Sequence, residues 1–397
     1  MRKDGYRMKH LIQNTLSRFV DSGQIAGCAV KIVRDDETWF EGSYGYADIE
    51  KQVRMSSEKT IFPIASMSKV ITVAGIMQLY EQGLFKLWDP VSEYLPGFKH
   101  PKIAVEKPDG SVEITEARGE VTMRQLFTMT SGVPYPGNDT AAAKIRMEKE
   151  QEFEKEFSAR VSAGGALPGT QEICNLVGQL PLAFEPGEKW MYGFSIDILG
   201  GVIEALTGRT LGEYLKENIF DPLGMKDTGF FVLPEKHDRI ATLYQIRNGM
   251  KPDERKYPME KPMFESGGGG LFSTVQDYSR FAQMLLHGGT LDGVRILGRK
   301  TVDLIAMDHL TPQQQATHSW DTQRGYGYGL GVRVMTNPEV ADINGSAGEW
   351  GWDGAFGNWF CVDPKERLTC VYLTTNLPGD HYRFIPKLMA SMYASLD

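Results

Sequence analysis

The stretch FPIASMSKVITVAGIMQL, residues 62–79, combines a serine and a lysine with the longest nearly apolar run of the chain. This pattern predicts a buried helix that starts around Ser66 and runs to Tyr80. The apolar run, Val70 to Leu79, has about half the length that a bilayer span needs, so no membrane span is expected. Ser66 and Lys69 are therefore expected in the first turn of a helix inside the protein core.

The spacing of this serine and lysine is suited to chemistry. Residues at i and i+3 share a helix face, so Lys69 Nζ can reach Ser66 Oγ. The helix N-terminus and burial both disfavour the charged form of a lysine, and a neutral amine beside a hydroxyl is a base–nucleophile pair. A structural alternative stays open, in which Ser66 caps the helix and Lys69 extends to the surface.

The same S-x-x-K pattern occurs a second time, at Ser56 to Lys59. Polar residues surround this copy, and a short β-like segment, residues 60–62, follows it. We interpret it as a surface turn, so the context favours Ser66.

Composition and charge exclude several classes of protein. The 397 residues include 43 Lys+Arg and 51 Asp+Glu, a net charge of −8, and 41% of them are hydrophobic. The sequence has no block of basic residues, which argues against nucleic acid as a partner. Residues 1–13 lack the apolar core of a secretory signal, and the four scattered cysteines are typical of free thiols in the cytoplasm, so a cytoplasmic protein is expected. The seven histidines have no metal-binding spacing, and neither a metal nor a cofactor is expected.

The order of the predicted elements indicates one α/β core with a helical insertion. Strands are predicted near both ends of the chain, and helical patterns dominate between them. We expect residues 1–88 and 254–397 to form an α/β sheet domain, residues 89–253 to form an inserted, mainly helical domain, and a site to lie in the cleft between them. The predicted strands are 28–34, 38–46, 329–335, 357–362 and 368–374, and the predicted terminal helices are 10–21 and 385–395.

A strongly charged segment, residues 144–159, lies inside the predicted insertion. Its few apolar residues include Ile145, Phe153 and Phe157. We interpret it as a solvated surface helix and a candidate lid; whether it moves is left open.

A proton shuttle for the Ser–Lys pair is expected at Tyr192, within PGEKWMYGFS, residues 186–195. The Pro-Gly pair predicts a loop, and Ser195 is the expected N-cap of the next helix. A phenol beside a lysine can act as a base or an acid. The alternative is a tyrosine that only packs beside Trp190.

Four more segments share the order and spacing of one family. From about residue 25 to residue 375 the chain resembles the class C β-lactamase and family VIII carboxylesterase superfamily, serine hydrolases with an S-x-x-K motif. The resemblance implies a β-lactamase/transpeptidase-like, penicillin-binding-protein-like fold, α/β with a central antiparallel sheet flanked by helices. The matching segments are LFTMTSG (126–132), PGEKWMYGFSIDILG (186–200), GGGGLFST (267–274) with Asp277, and WDGAFG (352–357).

The resemblance also implies roles for individual residues. Ser66 would be the acylated nucleophile, Lys69 its base partner and Tyr192 the second base or acid. The backbone amides of Ser66 and Ala355 would form the oxyanion hole. Gly354 fits a position where the backbone approaches a substrate closely.

Two departures from the family pattern bear on the substrate. The third motif reads Lys-Thr-Gly in β-lactamases and commonly Trp-Gly-Gly in esterases, whereas this chain has Trp352-Asp353-Gly354. The cation that recognises a β-lactam carboxylate is therefore absent, and Asp353 is expected to repel an anionic substrate or to bind a cationic or hydroxylated one. Phe194 stands where a β-lactamase has asparagine. Both departures favour an ester or amide over a lactam.

Aromatic residues are expected to line the substrate pocket, although each could equally pack in the core. The expected substrate-binding residues are Tyr135, Phe194, Trp352, Asp353 and Gly354, with Trp190 beside them. The sequence thus predicts a serine hydrolase that cleaves a small, partly apolar ester or amide through an acyl-enzyme.

The alternatives are a β-lactamase, a D-amino-acid peptidase or amidase, a penicillin-binding-like protein without turnover, and a catalytically silent scaffold. In each active case the partner is a small-molecule ester, amide or lactam. The natural substrate, the choice between hydrolysis and acyl transfer, and the oligomeric state are left open by the sequence.

Overall fold

The computed structural model describes residues 3–254, 260–318, 320 and 323–396. This part of the chain forms a mixed α/β fold with one large antiparallel sheet, which confirms the predicted fold class. The helices are α1 (Lys3–Asp21), α2 (Ser68–Glu81), α3 (Met123–Phe127), α4 (Ala141–Ser162), α5 (Thr170–Gly178), α6 (Ser195–Thr207), α7 (Leu211–Leu215), α8 (Asp221–Leu223), α9 (Val275–Leu286), α10 (Arg299–Ile305), α11 (Pro312–Gln315), α12 (Pro338–Ala341) and α13 (His381–Tyr393). Within these described ranges, every helix is too short or too polar to cross a lipid bilayer.

Most of the strands are short, and the longest lie at the two ends of the chain. The strands are β1 (Gly27–Arg34), β2 (Glu37–Asp48), β3 (Val53–Arg54), β4 (Phe62–Pro63), β5 (Lys102–Glu106), β6 (Val112–Glu116), β7 (Tyr244–Gln245), β8 (Lys251–Pro252), β9 (Phe272–Ser273), β10 (Thr290–Leu291), β11 (Val294–Arg295), β12 (Tyr326–Tyr328), β13 (Arg333–Met335), β14 (Trp350–Gly354), β15 (Asn358–Asp363), β16 (Leu368–Thr374) and β17 (Asn376–Leu377).

Strands from both ends of the chain meet inside the large sheet, whose order is β12-β13-β14-β15-β16-β1-β2-β3. β1 pairs antiparallel with β16, from Cys28 opposite Thr374 to Arg34 opposite Leu368. Every residue of β16 is buried, so both faces of the sheet are covered at its centre. The prediction that the two ends of the chain build one sheet is therefore confirmed.

Side-chain alternation along the strands separates two apolar cores. In β15, Phe360 and Val362 belong to the larger core, which contains α2, α6 and α9, whereas Trp359 belongs to the core under α1 and α13. Phe19 of α1 and Phe384 of α13 meet edge to face with their centroids 5.0 Å apart. All four cysteines are buried.

Helix α2 runs through the larger core. Its apolar residues point to all sides, and even Ser68, Lys69 and Thr72 are fully buried. The helix starts after a 3₁₀ turn, Ala65–Met67, and ends at Glu81, so its predicted position is confirmed within two residues. Because Lys69 is enclosed, its ammonium nitrogen must find its partners inside the protein.

Some local predictions differ from the structure. The N-cap of α6 is Phe194 rather than Ser195, because the Ser195 hydroxyl bonds the Ser131 hydroxyl at 2.8 Å instead of a backbone amide. The hairpin of β5 and β6 was not predicted, since few of its side chains are buried. The charged segment 144–159 lies within α4 as expected.

The division into a sheet domain, residues 1–88 with 254–397, and an insertion, residues 89–253, stays a prediction. Helices α3 to α8 lie in the second range, together with β5 to β8. Residues 1–2, 255–259, 319, 321–322 and 397 of these ranges lie outside the described part of the chain.

Candidate active site

Ser66 occupies a strained turn between β4 and α2. The preceding residue, Ala65, has a φ of 45°, in the left-handed region that favours glycine. Ser68 Oγ donates a hydrogen bond of 2.6 Å to the Ala65 carbonyl and accepts one of 3.1 Å from the Leu271 amide, which holds the turn in place. Backbone strain of this kind is common at functional positions, and here it presents the half-buried Ser66 side chain at the edge of the core.

The structure brings Lys69 to Ser66 as predicted. Lys69 Nζ lies 3.1 Å from Ser66 Oγ, 3.0 Å from the Tyr135 hydroxyl and 2.5 Å from the Gly268 carbonyl. All three partners are formally neutral groups. A buried amine beside a serine hydroxyl is placed to exchange a proton with it.

Two tyrosines flank the lysine in different ways. Lys69 Nζ lies 4.7 Å from the ring centroid of Tyr192, and the Tyr192 hydroxyl accepts a hydrogen bond of 3.4 Å from Trp352 Nε1. Tyr192 therefore contacts the lysine with its ring face, while Tyr135 does so with its hydroxyl. Burial raises the pKa of Tyr135 well above its usual value, and the charge of Asp197 adds to this effect, so the Tyr135 phenol stays protonated.

A buried carboxylate that the sequence interpretation missed, Asp197 of α6, supports this arrangement. Its Oδ1 accepts hydrogen bonds from the Ser266 hydroxyl and, at 3.0 Å, from the Gly268 amide, and its Oδ2 accepts one of 3.4 Å from Tyr135. A Cβ at Gly268 would overlap the Asp197 carboxylate, which explains the glycine. Asp197 thus fixes the loop whose carbonyl holds Lys69. The sequence carried one signal of this role, since Asp197 is a charged residue within the apolar run of α6.

The end of β14 packs against the turn that carries Ser66. A Cβ at Gly354 would overlap the carbonyl oxygen of Ile64, so only glycine permits this approach. No hydrogen bond from the amides of Ser66 or Ala355 to another protein group occurs in the described ranges. Neither amide is therefore committed to another group in this part of the chain.

A buried asparagine reinforces this junction. Asn358 Nδ2 donates a hydrogen bond of 2.8 Å to the Pro63 carbonyl, and its Oδ1 accepts one of 2.9 Å from the Thr374 amide. The side chain thereby links β15 and β16 to the strand that precedes Ser66.

Asp353 does not lie on the same side as the rest of the site, so its expected role is corrected. Trp352 faces Tyr192, and successive side chains of a strand point to opposite faces, so Asp353 points to the far side of the sheet. There Arg333 Nη1 donates a hydrogen bond of 2.5 Å to Asp353 Oδ1. This carboxylate is paired and cannot select substrates by charge.

Aromatic side chains surround the Ser–Lys pair, as expected. The centroid of the Tyr192 ring lies 5.6 Å from Trp352 and 4.8 Å from Trp320, which the sequence interpretation missed. Trp352 and Phe194 are buried, whereas Trp320 is 37% exposed. Tyr192 and Trp320 therefore contribute accessible aromatic surface.

Arg146 fixes the base of this aromatic group. Its guanidinium carbon lies 3.8 Å from the centroid of Phe194, and its Nη1 donates a hydrogen bond of 2.5 Å to the Pro134 carbonyl. Because the Arg146 side chain is buried, the first turns of α4, the candidate lid, are fastened to the loop before Tyr135.

The chain is similar to proteins of one family over nearly its whole length. A family model described as Beta-lactamase matches residues 12–390. Protein Rv1367c of Mycobacterium tuberculosis is 32% identical over 377 residues, which cover 92% of this chain and 90% of the relative. Esterase EstB of Burkholderia gladioli is 26% identical over 372 residues, which cover 88% of this chain and 86% of the relative.

A solved structure shares the fold. EstCE1, described as a hydrolase with promiscuous acyltransferase activity, has a TM-score of 0.79 at 24% identity, covering 98% of this chain and 99% of that one. This likeness confirms the penicillin-binding-protein-like and β-lactamase-like fold that the sequence predicted.

Proposed function

Because this chain belongs to the Beta-lactamase family and is a serine hydrolase, we propose that Ser66 is its nucleophile and that it cleaves small, partly apolar esters through an acyl-enzyme. The observation that carries this proposal is the buried Lys69 Nζ, 3.1 Å from Ser66 Oγ, with neutral groups as its other partners. A lysine that contacts a serine hydroxyl and is not paired with a carboxylate is suited to act as the base for that serine.

In the proposed acylation, Ser66 Oγ attacks the ester carbonyl carbon while its proton passes to Lys69 or Tyr192. Negative charge develops on the carbonyl oxygen, and the amides of Ser66 and Ala355 stabilise it. The bond to the alcohol oxygen then breaks, and the alcohol leaves with that proton. Water attacks the acyl-enzyme next: its hydroxyl goes to the acid product and its other proton returns to Ser66 Oγ.

The two tyrosines have separate proposed roles. Tyr192 is half-buried and borders the accessible aromatic surface, so its hydroxyl is suited to pass the proton to the leaving alcohol. Tyr135 is hydrogen-bonded to both Lys69 and Asp197, so it is suited to hold the lysine in position.

The charges near Ser66 support a neutral substrate. Lys69, which contacts Ser66, is enclosed, and Arg146 is buried under Phe194. Neither can receive the carboxylate of a β-lactam or a peptide. The aromatic surface of Tyr192 and Trp320 instead suits an apolar acyl or alcohol group. The relative EstB is named as an esterase, which also supports an ester substrate.

Acyl transfer to an alcohol is the second candidate function. EstCE1 is described as having promiscuous acyltransferase activity, and an aromatic rim favours an apolar alcohol over water as the acceptor. Adding butanol during ester cleavage tests this candidate: butyl ester among the products supports it, and free acid alone excludes it.

The proposed function is tested with p-nitrophenyl acetate, p-nitrophenyl butyrate and nitrocefin as substrates. Ser66→Ala is expected to lower ester turnover by at least ~10³-fold, while Ser56→Ala, in the second S-x-x-K copy, leaves it unchanged. Ester turnover that survives Ser66→Ala, or a fluorophosphonate adduct on Ser56, contradicts the assignment. Nitrocefin turnover faster than ester turnover contradicts the substrate class.

A further inference from the structure

A histidine on the far side of the sheet contacts the peptide that carries one of the proposed oxyanion donors. His381 is the first residue of α13, and its Nε2 lies 2.8 Å from the Gly354 carbonyl oxygen and 3.2 Å from the Asn358 carbonyl oxygen. Carbonyl oxygens only accept hydrogen bonds, so Nε2 carries the proton and His381 is the donor.

The contacted carbonyl belongs to the same peptide unit as the Ala355 amide. The Gly354 carbonyl also accepts a hydrogen bond of 2.9 Å from the Gly357 amide, so it receives two donors. Carbonyl and N–H of a trans peptide point in opposite directions, and donors on the carbonyl draw electron density from the nitrogen and strengthen the N–H as a donor. His381 and Gly357 thus act on one end of this peptide while Ala355 offers the other end.

The position of this peptide relative to Ser66 is fixed as well. Gly354 packs so closely on Ile64 that no Cβ fits between them, and Ile64 lies two residues before Ser66. A rotation of the Gly354–Ala355 peptide would turn the Ala355 N–H away from this junction. The hydrogen bond from His381 opposes that rotation.

We propose that His381 is a positioning residue for this enzyme, which orients and polarises the Gly354–Ala355 peptide so that the Ala355 N–H stabilises the oxyanion. The inference rests on the proposed function, since it assumes an oxyanion formed at Ser66. It adds a residue that the family motifs around Ser66, Tyr192 and Trp352 do not include.

The test compares three variants of the full chain. His381→Phe removes the donor, His381→Gln keeps an N–H donor, and His237→Phe is a matched control, because His237 Nε2 also bonds a backbone carbonyl, that of Val232, at 2.8 Å. The readouts are kcat and KM for p-nitrophenyl butyrate, and the inhibition constant of butylboronic acid, which forms a tetrahedral adduct with a serine nucleophile.

Removing an oxyanion donor costs about 10²–10³-fold in kcat, and loss of a group that supports one donor should cost less. His381→Phe is therefore expected to lower kcat about tenfold with little change in KM. It should raise the inhibition constant of butylboronic acid by a similar factor. His381→Gln should recover most of this loss, and His237→Phe should match the unchanged protein.

The outcomes separate the inference from the proposed function. If folded His381→Phe keeps its kcat and boronic acid inhibition within twofold of the unchanged protein, the inference is wrong while the nucleophile stands. If the unchanged protein neither binds butylboronic acid nor depends on Ser66, the proposed function itself fails.

A second measurement needs no stable variant. In ¹⁵N-histidine-labelled protein, butylboronic acid should shift the Nε2 signal of His381, because an oxyanion on Ala355 strengthens the hydrogen bond at the other end of the peptide. The His237 signal should stay unchanged. A titration in which no histidine signal responds to the bound boronic acid overturns the inference.

Discussion

Two buried basic side chains, Lys69 and Arg333, lie on opposite sides of β14 and have opposite kinds of partners. Lys69 contacts a serine hydroxyl, a tyrosine hydroxyl and a backbone carbonyl, and the carboxylate of Asp197 is linked to it through Tyr135. Arg333 contacts the carboxylates of Glu349 and Asp353 directly. Neutral partners leave a proton free to move, whereas carboxylate partners fix the charge. Lys69 is suited to chemistry and Arg333 to structure.

The comparison is tested most strongly by removing the lysine. Lys69→Met is expected to lower kcat/KM for p-nitrophenyl butyrate by about 10³-fold or more, because the serine loses its base. The fold should persist, since methionine suits the apolar core around α2. Steady-state kinetics and thermal unfolding measure the two effects.

Lys59→Met, in the exposed second S-x-x-K copy, is the matched control and should leave kcat/KM unchanged. Activity of Lys69→Met close to that of this control would show that Lys69 is not the base.

Arg333→Met is expected to have the reverse outcome. It leaves Glu349 and Asp353 without their cation, and breaking a buried ion pair from one side costs about 3–5 kcal/mol. Denaturant unfolding should show a loss of this size, and the protein that stays folded should keep its nucleophile chemistry.

The double variant Arg333→Met/Glu349→Gln should recover part of the stability, because it removes one stranded carboxylate. A single variant as stable as the unchanged protein would show that the pairing of Arg333 contributes nothing.

The two sites also show what could be read from the sequence. Ser66 and Lys69 are three residues apart, where a 3₁₀ turn leads into an apolar helix, so their local spacing was enough to predict that they meet. Tyr192 followed from a motif. Asp353 was misplaced because the motif was treated as one unit, although adjacent residues of a strand face opposite sides.

Contacts between segments that are far apart in the sequence could not be predicted. The partners of Tyr135 and the pairing of Arg333 depend on how separate segments pack, which no local pattern encodes. The position of Asp197 in an apolar helix could have marked it as unusual. Its partners, Ser266 and Gly268, could not have been predicted in this way.

A smaller effect is expected in the pH dependence of stability. Burial raises the pKa of Glu349 from 4.5 to about 7, and the charge of Arg333 opposes this shift only in part. The folded protein therefore binds a proton here that the unfolded chain releases between these two values. The stability that this proton provides is complete below pH 4.5 and is lost as the pH rises through 7.

Glu349→Gln, which imitates the protonated acid, should lack this loss. Relative to the unchanged protein it should gain on the order of 2 kcal/mol between pH 5 and pH 8. Denaturant unfolding at several pH values measures this, with the exposed Glu339→Gln as the control. Equal slopes for both variants would mean that Glu349 is ionised throughout.

The smallest effect concerns the link between Lys69 and Asp197. Tyr135→Phe keeps the ring packed 6.0 Å from Phe194 but removes the hydroxyl that contacts both groups. Lys69 keeps Ser66 and the Gly268 carbonyl, so we expect kcat to fall only about tenfold, roughly the worth of one hydrogen bond to a charged group. Tyr94→Phe, which removes a remote phenol–carboxylate bond of 2.9 Å to Asp89, is the matched control. A loss of about 10³-fold would instead make Tyr135 a proton carrier equal to Lys69, and Tyr192, which meets the lysine only through its ring, would then lose the role proposed for it.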